Sequence, residues 1–180
     1  FPVLNNRIVA LVETAILWRT RRMANQHEVF LRQAIGLAVD NVRQALGGPF
    51  GALVVKDGEV ISTGRNQVTV ANDPTAHAEV MAIRQACRKL ASFQLDDCEI
   101  YTSCEPCPMC LGAIYWARIK AFYYAAGKDE AARGQFDDSF IYAELNKPTD
   151  GRTIPGYQML AAEGSRPFDE WLKSTIKVAY

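Results

Sequence analysis

The sequence has no net charge, with 20 Lys and Arg against 20 Asp and Glu. A dedicated nucleic-acid binder carries a basic excess, so the balance leans, weakly, towards a small substrate. It also has no disulfide framework. Its five cysteines, Cys87, Cys98, Cys104, Cys107 and Cys110, are odd in number and crowd towards one place. A framework would spread them along a short, loop-rich chain. The crowding reads as metal binding in a reducing cytoplasm. No apolar run is long enough for a membrane span. Ile8, Val9, Leu11, Val12, Ile16, Leu17 and Trp18 come nearest, but Glu13 interrupts them. Arg19, Arg21 and Arg22 follow that run, whereas a signal peptide needs its basic residues first. Met23 reads as a natural start, which makes residues 1–22 an N-terminal extension of unassigned role. The chain shows no internal repeat, low-complexity tract or long linker.

What remains is a chain of 180 residues with 49% hydrophobic composition, enough for one compact domain over residues 23–180. Phe30, Ala34, Ala38, Val42 and Leu46 form one stripe of a helix from about Gln26 to Leu46. Gly47-Gly48-Pro49 stops it. Ala52–Lys56 and Glu59–Thr63 are β-rich and flank Asp57-Gly58, a hairpin signal. A polar loop spans Gly64 to Thr75. Ala76, Val80, Ile83, Cys87 and Leu90 mark a second helix. Glu99–Ser103 reads as a strand, Cys107–Ala117 as a helix and Lys120–Ala126 as a strand. Short helices around Glu130, Phe140 and Trp171 follow, with a Pro155-Gly156 turn between them. The order predicts an α/β fold: a three-layer α/β/α sandwich around a mixed sheet of about five strands.

Two segments carry the chemistry: His77-Ala78-Glu79 and Pro106-Cys107-Pro108-Met109-Cys110. Cys107 and Cys110 are three apart and share a helix face. Both can reach one tetrahedral ion, and His77 adds a nitrogen. Three protein ligands leave a fourth position for water, the arrangement of a catalytic zinc. His77 and Glu79 converge only if the ion sits off a helix end. Pro74 and Pro106 suggest two helix starts aimed at it. Zn²⁺ with two thiolates and an imidazole is formally neutral and acidifies water weakly, so a nearby base is needed; Glu79 fits. Adding Cys104 would close a four-ligand structural site instead. That alternative gives Glu79 no task. Cys87 and Cys98 read as ordinary buried cysteines.

The spacing H-x-E followed by P-C-x-x-C is that of zinc nucleobase deaminases. From about His27 to Tyr180 the chain resembles bacterial guanine deaminases of the cytidine deaminase-like fold. The resemblance lies in Gly47–Ala52, Asn72–Glu79, Thr102–Arg118 and Gly134–Tyr142, and in the terminal tyrosine. It implies one Zn²⁺ per chain on His77, Cys107 and Cys110, with Glu79 and Asp138 catalytic. It implies substrate contacts from Asn66, Phe50, Trp116, Ala78 and Tyr180. It further implies a small purine substrate, with guanine hydrolysed to xanthine and ammonia. The partner it implies is a second copy: a homodimer, domain-swapped through a C-terminal segment that covers the partner's site. Each polar residue has a plainer reading. Asn66 can support its loop, Asp138 can cap a helix, and Phe50 and Trp116 can be core.

Three rivals stand beside guanine deamination. A tRNA adenosine deaminase shares the motif but needs a basic face for phosphates. A cytosine or nucleoside deaminase needs an open pocket mouth that admits ribose. A non-enzymatic zinc module has no use for Glu79. No nucleic acid and no membrane are expected as partners.

Overall fold

The computed structural model describes residues 24–179. The extension 1–22, the start at Met23 and the contact expected of Tyr180 lie outside the described residues.

Helix α1 occupies residues 24–43. Its buried face is Phe30, Ala34, Ala38 and Asn41, while Val42 and Leu46 are exposed. A step of four residues overshoots one turn by about 40°, so after two such steps a step of three restores the face. The apolar stripe therefore ends on Asn41 and not, as the sequence suggested, on Val42.

Strands β1 (Gly51–Lys56) and β2 (Glu59–Arg65) form the expected hairpin. Asp57 and Gly58 both take positive φ, the conformation a tight two-residue turn needs. The polar loop that follows contains a single helical turn, α2 (Val68–Ala71). Helix α3 (Ala78–Leu90) packs across β2 and β1. Gly64 makes that approach possible: a Cβ there would lie 2.0 Å from Ala78 O. β3 (Cys98–Cys104), α4 (Pro108–Trp116) and β4 (Ala121–Ala126) complete the body.

The sheet order is β2-β1-β3-β4, with β1 antiparallel to both neighbours and β3 parallel to β4. Both faces are covered. Ala52, Val54 and Ile100 meet Ala82 and Ala86 of α3 and Ile114 of α4. Leu53, Val55 and Tyr101 meet Phe30 and Ala34 of α1 on the other face. Strict alternation along β1 thus sends successive residues into two cores, which is the three-layer arrangement. The strand count is four among the described residues, not about five. Beyond β4 the described residues supply helices and no further strand: α5 (Lys128–Arg133), α6 (Ser139–Leu145), α7 (Ala161–Gly164) and α8 (Arg166–Lys173). Pro155-Gly156 lies in irregular chain, without a tight turn. No described residue after Ala117 is buried. No helix among the described residues is long and apolar enough to cross a membrane.

Candidate active site

His77 is the N-cap of α3 and Cys107 the N-cap of α4. Neither side chain bonds its own helix end, as a serine or aspartate there would. Both are left for each other. His77 Nδ1 lies 3.6 Å from Cys107 Sγ and 3.4 Å from Cys110 Sγ. Zn–S and Zn–N bonds of about 2.3 and 2.05 Å at a tetrahedral angle put nitrogen and sulfur about 3.6 Å apart. The three donors therefore fit one zinc ion, with the fourth corner unclaimed. Among the described residues they form the one such cluster of ligating side chains.

The helix starts differ in detail from expectation. Pro108, not Pro106, occupies the first turn of α4. Pro74 lies in the turn ahead of α3, where it starts no helix. The aim of both helices is nevertheless shared, and their amide ends favour negative charge at the ligands. Cys107 is pulled down to about 4 by the hydrogen bond from Cys110, helped by His77. Cys110 is pushed up by the same shared proton and by burial. The His77 imidazole is raised by its bond to Cys107. Cys104 ends β3, and its thiol donates to Gly127 O at 3.6 Å, so it stands apart from the cluster. Burial pushes it up to about 11. A closed four-ligand site is not what these residues make. All five cysteines are unpaired.

Glu79, in the first turn of α3, is only 6% exposed. Burial raises its carboxyl, the Cys107 charge adds to this, and His77 opposes it. A carboxyl raised in this way beside a metal cradle is suited to accept and return a proton.

The cluster forms one end of a cleft of about 600 Å³. Phe50, Asn66, Glu79, Phe136 and Asp138 line it. Asn66 is 6% exposed, and its Oδ1 accepts from Gly48 N and Val68 N, each at 3.3 Å. With the oxygen engaged, the amide NH₂ is the end offered to a ligand. Asp138 is the N-cap of α6 yet makes no capping bond. Its carboxyl is raised by burial and then by the Cys107 charge. Helix α6 is pinned beside the metal loop. Tyr142 donates to Pro106 O at 3.4 Å, Lys128 sits 3.8 Å over the Tyr142 ring, and Lys128 pairs with Glu105 at 3.3 Å.

The structure thus brings together seven of the ten residues the sequence nominated: His77, Cys107, Cys110, Glu79, Asn66, Phe50 and Asp138. Ala78 is fully buried under Gly64 and does not line the cleft. Trp116 ends α4, 67% exposed, away from the lining of its own chain's cleft. Phe136 was missed. Its ring meets Phe50 edge-on at 5.0 Å and 86°, closing one wall. Its signal was its place in the Gly134–Tyr142 stretch, two residues before Asp138.

Residues 24–126 match the family of the cytidine and deoxycytidylate deaminase zinc-binding region. Over 154 residues the chain is 58% identical to the guanine deaminase of Bacillus subtilis (strain 168), covering 86% of this chain and 99% of that one. The X-ray structure of guanine deaminase from Bacillus subtilis superposes with a TM-score of 0.84, covering 86% of this chain and 98% of its own. A tRNA-specific adenosine deaminase of Aquifex aeolicus (strain VF5) is 47% identical over 125 residues, 69% of this chain and 80% of that one.

Proposed function

The chain belongs to the cytidine and deoxycytidylate deaminase zinc-binding family, and from that premise we propose that it hydrolyses guanine to xanthine and ammonia. The observation that carries the reading is one cleft. It holds a three-donor metal cradle, a buried carboxyl beside it, and an amide NH₂ set among aromatic walls.

His77, Cys107 and Cys110 would hold a zinc ion, whose Lewis acidity would lower the pKa of a water and ready it for the neighbouring base. Glu79 takes one proton of that water and passes it to the ring nitrogen beside C2 as the oxygen bonds C2; it then moves the remaining hydroxyl proton to the exocyclic amine as the C2–N bond breaks, which leaves the C2 carbonyl of xanthine and ammonia. Asn66 donates to an acceptor on the purine edge, and Phe50 and Phe136 hold the ring plane by apolar contact. Asp138 stands where its carboxyl can bond the exocyclic groups or assist proton transfer. The similarity to Bacillus subtilis guanine deaminase over nearly its whole length supports guanine over adenosine in tRNA. The balanced charge points the same way.

The C-terminal segment completes the reading. Phe168, Trp171 and Leu172 share one face of α8, and Ile176 and Val178 follow; all five are exposed in their own chain. An apolar tail of this kind needs a surface. It acts as a lid over a partner's cleft in a domain-swapped homodimer. Unpaired, metal-binding thiols suit the reducing cytoplasm.

Zinc removal tests the proposal. Chelation is expected to abolish xanthine and ammonia release from guanine, and added zinc to restore both together. Cys107→Ala is expected to lose the metal outright. Guanine turnover that survives complete zinc removal would refute the mechanism.

A further inference from the structure

Asn41 is fully buried in the last turn of α1, on the face that earlier carries Phe30, Ala34 and Ala38. Its Nδ2 donates to two backbone carbonyls, Gly48 O at 2.8 Å and Asn66 O at 2.9 Å. These acceptors belong to separate segments of the cleft wall: the loop between α1 and β1, and the residue that follows β2. The two segments also bond each other. Asn66 N donates to Phe50 O at 3.2 Å, and Gly48 N donates to Asn66 Oδ1 at 3.3 Å.

The other end of the Asn41 amide has no such use. Its Oδ1 is buried without a hydrogen-bond partner. Turning the amide over would aim that oxygen at two carbonyls, so the network itself fixes the orientation. A leucine would fill the space without an orphaned oxygen, but it would leave two carbonyls without their donor. The NH₂ end is therefore the one that acts on the cleft wall. The contact is close: a Cβ on Gly47 would lie 2.3 Å from Asn66 O and 3.1 Å from Asn41 Nδ2. Helix, loop and Asn66 are thus tied by hydrogen bonds and by a close backbone approach.

We propose that Asn41 is a positioning residue for substrate recognition. It holds the Asn66 backbone against the glycine loop, so that the Asn66 NH₂ points into the cleft. The inference rests on the reading of Asn66 as the purine contact.

The test is a double-mutant cycle on the zinc-loaded full chain, with kcat and KM for guanine measured for wild type, Asn41→Ala, Asn66→Ala and the double variant. Asn41→Ala is expected to raise KM roughly five- to tenfold, the worth of about one hydrogen bond, with zinc content unchanged. In the Asn66→Ala background the same change is expected to cost little more. Asn41→Ser keeps one donor and is expected to recover part of the KM; it carries the cycle if Asn41→Ala fails to fold. A purely structural residue would lower the thermal midpoint and leave KM of the folded enzyme alone. Wild-type KM in Asn41→Ala or Asn41→Ser, or losses that add fully with Asn66→Ala, would overturn the inference while leaving Asn66 its role. If Asn66→Ala itself turned over guanine normally, the reading of Asn66 would fail first, and Asn41 would have nothing to position.

Discussion

Residues 24–126 and residues 128–179 are built on different terms. In the first stretch a sheet covered on both faces buries Leu53, Val54, Ile100 and Tyr101 completely. In the second, α5 to α8 bury no described residue, and Ile176 is 88% exposed. Yet the second stretch is no less apolar in kind, with Ile154, Tyr157, Met159, Leu160, Phe168 and Leu172 all facing outwards. The body buries a core within one chain, although Val42, Tyr115 and Trp116 stay exposed. The tail carries residues whose burial needs another surface. The metal cradle and Glu79 belong to the first stretch, while the second adds Phe136 and Asp138 to the cleft and carries the proposed lid.

The largest effect is expected in the body. Glu79→Gln keeps the shape and removes the proton carrier. It is expected to lower kcat by about 10²–10⁴-fold with zinc retained. Near wild-type turnover in that variant would remove Glu79 from the mechanism and with it the contrast between a reactive body and a covering tail. Leu53→Ala, at a position buried in the α1-facing core, is expected to cost about 2–5 kcal/mol in urea unfolding.

The tail should behave differently. A chain ending at Lys177 is expected to stay folded, dimeric and zinc-loaded. Its guanine deamination should fall by an amount corresponding to the loss of about 1–3 kcal/mol of stacking or hydrogen-bonded contact. Ending the chain before Phe168 is expected to weaken the dimer itself, read by sedimentation. Normal activity in the shorter deletion would show that the lid takes no part. The smallest effect belongs to Ile176→Ser, expected to shift the unfolding of dilute monomer by no more than about 0.5 kcal/mol. A loss as large as that of Leu53→Ala would mean that body and tail fold as one unit.

The same contrast explains what could be read from the sequence. The body was legible because its signals are local. Asp57-Gly58 dictates its turn, β1 alternates into two cores, and His77, Glu79, Cys107 and Cys110 carry their chemistry in their spacing. Contacts between distant segments were not. The Asn41 amide joins residues 25 positions apart through the Asn66 carbonyl, and no periodicity announces that. The stripe read through Val42 went wrong at that same turn. Phe136 acquires its role only by meeting Phe50 across the cleft. The fifth strand was expected from the architecture, since only four segments carry a strand pattern. Trp116, read as a pocket residue, lies outside its own chain's cleft because α4 carries it away from the metal end.

The activity expected of this metal and carboxyl centre is on free guanine. It is tested most directly by comparing kcat/KM for ammonia release from guanine, guanosine, adenine, cytosine, cytidine and a tRNA anticodon stem with the zinc-loaded enzyme. Guanine is expected to be the fastest substrate, with guanosine poor because its ribose meets the aromatic wall and the tail. Faster release from guanosine, cytidine or the tRNA stem would contradict the account of the cleft, even with Glu79 and the metal cradle still in their roles.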